Sequence, residues 1–103
     1  MSGEIYASPY PAFNVPTNSS ISQFLLKYNP ENTDADKKIF EDFDAPHKSI
    51  TYGGIRTAAA QGAAGLRSVL GLREGDVVAI LATNSLDWAV LAHSVMWAGA
   101  TFW

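Results

Sequence analysis

The chain has 103 residues, nearly half of them apolar, so it holds one small folded unit or part of a larger one, not a disordered segment. Its net charge is −3 and its seven Lys and Arg are scattered, which argues against the basic stripe a nucleic-acid binder needs. There is no Cys, hence no disulfide frame and no thiolate chemistry. No basic-then-apolar leader opens the chain. The most apolar window, residues 88–103, is shorter than the ~20 residues of a membrane span and carries His93. The chain reads as soluble, without a membrane span, and is expected in the cytoplasm.

Residues 1–20 are expected as an extended arm. Pro9, Pro11 and Pro16 exclude a helix interior there. Tyr6, Tyr10 and Phe13 stand between the prolines and are expected to lie on the body of the protein. Residues 21–103 form the folded part. Ser20 and Gln23 have the spacing of a capping box, so a short helix is predicted over residues 21–28 with Ile21, Phe24, Leu25 and Tyr28 on one face. A polar loop follows. Residues 38–43 alternate imperfectly and read as a short strand, residues 49–52 as a second, with the turn Asp44-Ala45-Pro46-His47-Lys48 between them: a hairpin.

Thr51 can cap a helix over residues 53–70, whose buried stripe is Ile55, Ala58, Ala59, Gly62, Leu66, Val69 and Leu70. Gly62 and Gly65 each weaken it by about 1 kcal/mol relative to Ala and are expected where the helix backbone approaches a sheet. Gly71 ends it. Val77-Val78-Ala79-Ile80-Leu81 has no polar alternation, the pattern of a central parallel strand covered on both faces. Ser85 caps the next helix, with Asp87 in its first turn. Trp88, Leu91, Ala92, Val95 and Met96 recur at helical spacing, and Gly99 sits just past the end. A second apolar run, Ala100, Thr101, Phe102 and Trp103, follows. The fold class is α/β: an incomplete parallel βαβ sheet, its crossover expected right-handed, with an N-terminal arm and a short hairpin.

Chemistry is sparse. Neither phosphate-cradling glycine pattern, Gly-x-x-x-x-Gly-Lys-Ser/Thr or Gly-x-Gly-x-x-Gly, occurs. His47 and His93 lie far apart in sequence without Cys or carboxylate at ligand spacing, so no metal site is expected. Asp34, Asp36, Glu41, Asp42 and Asp44 read as a solvated acidic face. Trp88, Trp97 and Trp103 read as core or subunit-contact residues. Asn84 and Ser85, beyond the carboxyl end of the central strand, mark the position where open α/β sheets bind ligands. Helix capping explains Ser85 equally well.

Residues 50–100 nevertheless carry an ordered series of segments. They are Thr51-Tyr52-Gly53-Gly54-Ile55, Ala63-Ala64-Gly65-Leu66, Gly75-Asp76-Val77-Val78-Ala79-Ile80, Thr83-Asn84-Ser85-Leu86-Asp87 and Ala98-Gly99-Ala100. In order and spacing these resemble the start of the adenylate-forming superfamily of acyl-CoA synthetases, 4-coumarate–CoA ligases and luciferases. Ser8-Pro9-Tyr10-Pro11 and Val15-Pro16 resemble the arm of the 4-coumarate–CoA ligase branch. Gly54 departs from the usual Glu and Thr83 from the usual Pro, and both changes bear on local stability. The resemblance implies a parent activity: ATP-dependent conversion of a carboxylate to an acyl-adenylate, then transfer to CoA. ATP, Mg and CoA are implied for a full-length relative, and a peroxisomal address is possible there. The superfamily's phosphate loop, adenine and ribose contacts and C-terminal lysine have no counterpart among these 103 residues. No catalytic, cofactor-binding or metal-binding residue is therefore assigned, no cofactor is expected to bind this chain, and it is expected to be inactive alone. The alternative is a non-catalytic binding or regulatory module. Self-association or docking through the edge strand Ala100 to Trp103 is the partner expectation.

Overall fold

The computed structural model describes every residue except Met1, Ser2 and Phe13. Helix α1 spans Ile21–Gln23 and widens into a π-helical turn over Phe24–Tyr28. Strands β1 (Lys38–Glu41) and β2 (Ser49–Thr51) form an antiparallel hairpin with an irregular register between Lys38 and Phe40. Helix α2 (Tyr52–Leu70) follows directly. Strand β3 (Val77–Val78), helix α3 (Leu86–Trp97) and strand β4 (Thr101–Phe102) complete the chain. Strands β3 and β4 are parallel neighbours, with Val77 opposite Thr101 and Val78 opposite Phe102. The mixed α/β class and the parallel strand–helix–strand unit are as the sequence implies.

The helix ends follow from local chemistry. Ser20, Thr51 and Ser85 side chains accept from the N–H groups of Gln23, Gly54 and Trp88 at 3.1, 3.0 and 3.1 Å, satisfying donors that the first turn leaves free. Gly71 closes α2 at φ 67°, the left-handed conformation that glycine adopts without strain. The capping box at Ser20 is only half made. The Gln23 amide instead reaches across to donate to the Trp97 carbonyl at 3.3 Å.

The core lies between the helices, not around the parallel sheet. Leu26, Tyr52, Ile55, Ala59 and Ala89 form it, with Ile39, Phe40, Ile50, Trp88, Val90 and Trp97 packed around. This corrects several expectations. On the first helical segment the buried pair is Ser22 and Leu26, while Ile21, Leu25 and Tyr28 are exposed. The side that meets α3 is chosen by the Ser22 contact described below and not by the most apolar stripe. On α2 the buried stripe is Tyr52, Ile55, Ala59 and Ala63, and Val69 and Leu70 are exposed. The last turn of α2 runs past the end of the elements packed on it. Gly62 faces Ser94 of α3, not a sheet, and a Cβ added at Gly65 would point into open space.

The expected five-residue strand is regular only at Val77–Val78. Its pairing still continues, because the Ile80 N–H donates to the Trp103 carbonyl at 2.7 Å. It is also covered on one face only. Val78 and Ile80 are half-buried, whereas Val77 is 65% exposed and Leu81 is fully exposed. A two-stranded sheet with one helix on it cannot cover both faces. Trp88 meets Phe102 edge-to-face at 5.9 Å, but Trp103 is 86% exposed. The arm does not lie on the body either: Ile5, Tyr6 and Tyr10 are exposed, and Phe13 is outside the described residues. The consequences are measurable. The accessible surface is 8046 Å², against about 5,700 Å² for a folded chain of this mass. The radius of gyration is 17.0 Å, against about 13 Å for a compact domain of this length.

Candidate functional site

The position flagged beyond β3 lies in a hollow of about 400 Å³ between the hairpin loop and the start of α3. Asn84, Ser85 and Trp88 line one side, and Glu41, Asp42 and Asp44 the other. Each side is set by local turn chemistry. Ser85 spends its hydroxyl on the cap of α3. Asp42 holds the hairpin loop through one carboxylate oxygen, which accepts from the Asp44 and Ala45 N–H groups at 2.9 and 3.0 Å. Glu41 is exposed and lies 3.6 Å from Lys38. The hollow thus brings three of the five acidic residues near Asn84 and Ser85, and leaves Asp34 and Asp36 on exposed loop. A helix N-terminus attracts anions, but carboxylates already surround this one. Among the described residues no cluster of three or more His, Cys, Asp or Glu can hold a metal.

A second polar pair was not legible in the sequence. Ser22 Oγ and His93 Nδ1 are 2.9 Å apart, although 71 residues separate them. Both residue types occur in nucleophile–base pairs, but Ser22 is wholly buried and cannot meet a substrate. The pair fastens α1 to α3, beside the Gln23 contact and the Arg67 guanidinium, which also donates to the Trp97 carbonyl at 3.4 Å. The Tyr52 hydroxyl adds a bond to the Leu25 carbonyl. His47 is exposed in the hairpin turn. No sequence signal marks Ser22, because a serine two residues past a helix cap is ordinary. The sequence marks His93 only as a helix-face histidine, partly exposed or hydrogen-bonded; it is half-buried and bonded to Ser22.

Burial holds the His93 imidazole below the usual histidine range. The folded state therefore resists a proton that the unfolded chain accepts at about pH 6.5. The sign follows: this contribution is present above that pH and is lost as pH falls from about 6.5 towards the lower folded value. Urea unfolding at about pH 7.5 and 5.5, a window above the carboxylate titrations, should show a loss of stability on acidification. The loss should be smaller in His93→Gln. Equal losses in both proteins would show that His93 titrates as it does in the unfolded chain.

No helix of the described residues is long and apolar enough to cross a membrane. The family described as AMP-binding enzyme matches residues 26–103. The chain is 30% identical over 98 residues to 4-coumarate–CoA ligase-like 1 of Arabidopsis thaliana, an alignment covering 95% of this chain and 17% of that protein. In structure it is similar to the anthranilate CoA ligase AuaEII, solved in complex with anthranoyl-AMP. The TM-score is 0.68 at 24% identity, over 85% of this chain and 16% of that one. This chain therefore spans about one-sixth of the length of each of these relatives. With the family match extending from the π-helical turn through β4, the chain belongs to the AMP-binding enzyme family.

Proposed function

We propose that this chain is the N-terminal portion of an ATP-dependent acyl-CoA ligase, contributing fold and not chemistry. The observation that carries this reading is the ordered match from residue 26 to residue 103, beside the 30% identity to a 4-coumarate–CoA ligase-like protein. Residues 1–20 serve as the arm and residues 21–103 as the opening part of the nucleotide-binding domain. In a ligase of this kind ATP and Mg supply adenylation of the carboxylate, and CoA takes the acyl group.

The residues present here do not fit the nucleotide. At the start of α2 the Tyr52, Gly53 and Gly54 N–H groups already donate to the Lys37 and Ala35 carbonyls and the Thr51 hydroxyl, and at the start of α3 the Trp88 N–H donates to Ser85. The hollow at α3 is lined by Glu41, Asp42 and Asp44, which repel a triphosphate. Triphosphate binding needs oriented N–H groups or a lysine in a glycine-rich loop. No step of the reaction is therefore placed on this chain's side chains.

The test is direct. The chain is incubated with ATP, magnesium and a panel of carboxylic acids, and pyrophosphate release is followed. Release at the level of a heat-treated control is expected. Release above it would overturn the reading of a non-catalytic segment. Reading the coding sequence past the Trp103 codon tests the other half: a Ser/Thr/Gly-rich loop and a C-terminal lysine downstream are expected.

A further inference from the structure

Ser22 Oγ and His93 Nδ1 share one hydrogen, and burial decides which of them supplies it. Ser22 is wholly buried. Nδ1, 2.9 Å away, is the one partner of its hydroxyl among the described residues. Buried donors are matched to acceptors. If Nδ1 carried the hydrogen and donated it, the hydroxyl's own hydrogen would have no acceptor. The Ser22 hydroxyl therefore donates, Nδ1 accepts, and the neutral ring carries its hydrogen on Nε2. Nε2 has no hydrogen-bond partner among the described residues and is not a buried atom, so that hydrogen meets solvent.

We propose that Ser22 and His93 form a proton-operated latch, closed on the neutral imidazole and opened by its protonation, that holds the α1 turn against α3. A proton taken up at Nδ1 makes both ring nitrogens donors. Ser22 Oγ then has to accept, and its own hydrogen is stranded in a buried place. Opening the turn relieves this, because water takes the hydroxyl and surrounds the imidazolium. Burial acts in the same sense, since it disfavours the charged ring. The charged and titratable groups nearby do not reverse this. Glu31 and Lys37 of the loop before β1 line the hollow beside His93, as does Tyr52 of α2. Glu31 and Lys37 are exposed and opposite in sign, so their screened fields offset each other. The Tyr52 hydroxyl is spent on the Leu25 carbonyl. Lys27 of the π-helical turn is exposed and does not line the hollow. Arg67 of α2 reaches α3 at the Trp97 carbonyl, one turn past His93, and its charge adds to the cost of a second cation there. The far end of the segment is held separately, by Leu26 in the core and by the Tyr52 bond. Only the first turn swings, with the Gln23 contact to the Trp97 carbonyl. The latch is made wholly within residues 20–97 and does not rest on the ligase reading.

NMR on the intact chain tests it. At about pH 7.5 the ring nitrogen shifts of His93 should show the Nε2–H tautomer. The Phe24 N–H donates to the Ser20 carbonyl at 2.9 Å in the latched turn. It should exchange with solvent through an opening that leaves the Ala59 and Ala63 amides of α2 protected. That opening should grow by up to about tenfold between about pH 7.5 and 5.5, since the freed imidazole takes its proton near pH 6.5. In His93→Gln, neutral at both pH values, it should not grow. Ser22→Ala removes the donor to the neutral ring, so His93 should titrate at a higher pH than in the parent. Loss of an acceptor from Nδ1–H would move it the other way. The tautomer and the exchange of the unaltered chain decide the matter even where a substitution unfolds it. An Nδ1–H tautomer overturns the proposal. So do a Phe24 amide that exchanges only together with those of α2, an opening indifferent to pH, growth that persists in His93→Gln, or a His93 titration that falls or stays in Ser22→Ala.

Discussion

Ile55→Ala should lower the stability of this chain by about 2–5 kcal/mol, the range for removing three carbons from a packed core. Ile55 has no exposure and lies between Leu26, Tyr52, Ala59 and Ala89, where the helical segments and the hairpin converge. Small domains hold only about 5–15 kcal/mol in total, so the loss is a large fraction of the margin. The melting temperature should fall by at least about 10 °C. Val69→Ala is the control, because Val69 lies on the same helix but is 80% exposed. It should change stability by less than about 0.5 kcal/mol. Chemical denaturation of the two variants measures both. Equal effects would place the core elsewhere than between α2 and its neighbours.

Gly62→Ala is expected to destabilise the chain although alanine is the better helix former. A Cβ at Gly62 would stand 2.1 Å from Ser94 Oγ and 2.8 Å from Ser94 Cβ. The hydroxyl can swing aside only by giving up its 2.7 Å bond to the Val90 carbonyl. The Ser94 Cβ cannot move without α3. Overpacking of this kind costs about 1–3 kcal/mol or more, against a helix-propensity gain of about 1 kcal/mol. A net loss of about 1–2 kcal/mol results. In a Ser94→Gly background the obstruction is gone, and the same Gly62→Ala change should stabilise by up to about 1 kcal/mol. A double-mutant cycle on unfolding free energies measures this reversal. If Gly62→Ala stabilises both backgrounds alike, α2 and α3 do not touch at this point.

The local features of the fold were legible in the sequence because each rests on a few adjacent residues. The caps at Ser20, Thr51 and Ser85, the turn at Gly71, the hairpin and the two long helices need only side-chain oxygens and φ preferences at fixed offsets. The parallel pairing of β3 with β4 was legible too, since a strand, a helix and a second apolar run leave few arrangements. The family was readable from the order of short segments between Thr51 and Ala100, none of them specific alone, and residues 26–103 match it.

Which faces are buried was decided only by the tertiary structure. An apolar stripe states that a surface prefers cover; it does not state that a neighbour is present. Val77, Leu81, Val69 and Leu70 read as interior and stand exposed, because no element among the described residues covers them. Ser22 reads as an ordinary polar position and is wholly buried, because His93 arrives from α3 to satisfy its hydroxyl. Gly62 reads as a contact with a sheet and is a contact with Ser94, because α2 meets α3 there. The acidic residues read as a solvated face, and three of them also close on the start of α3, because the hairpin folds back over that helix. Caps and turns are settled within a few residues of chain, whereas burial depends on contacts between residues far apart in sequence, which exist only once the elements have docked.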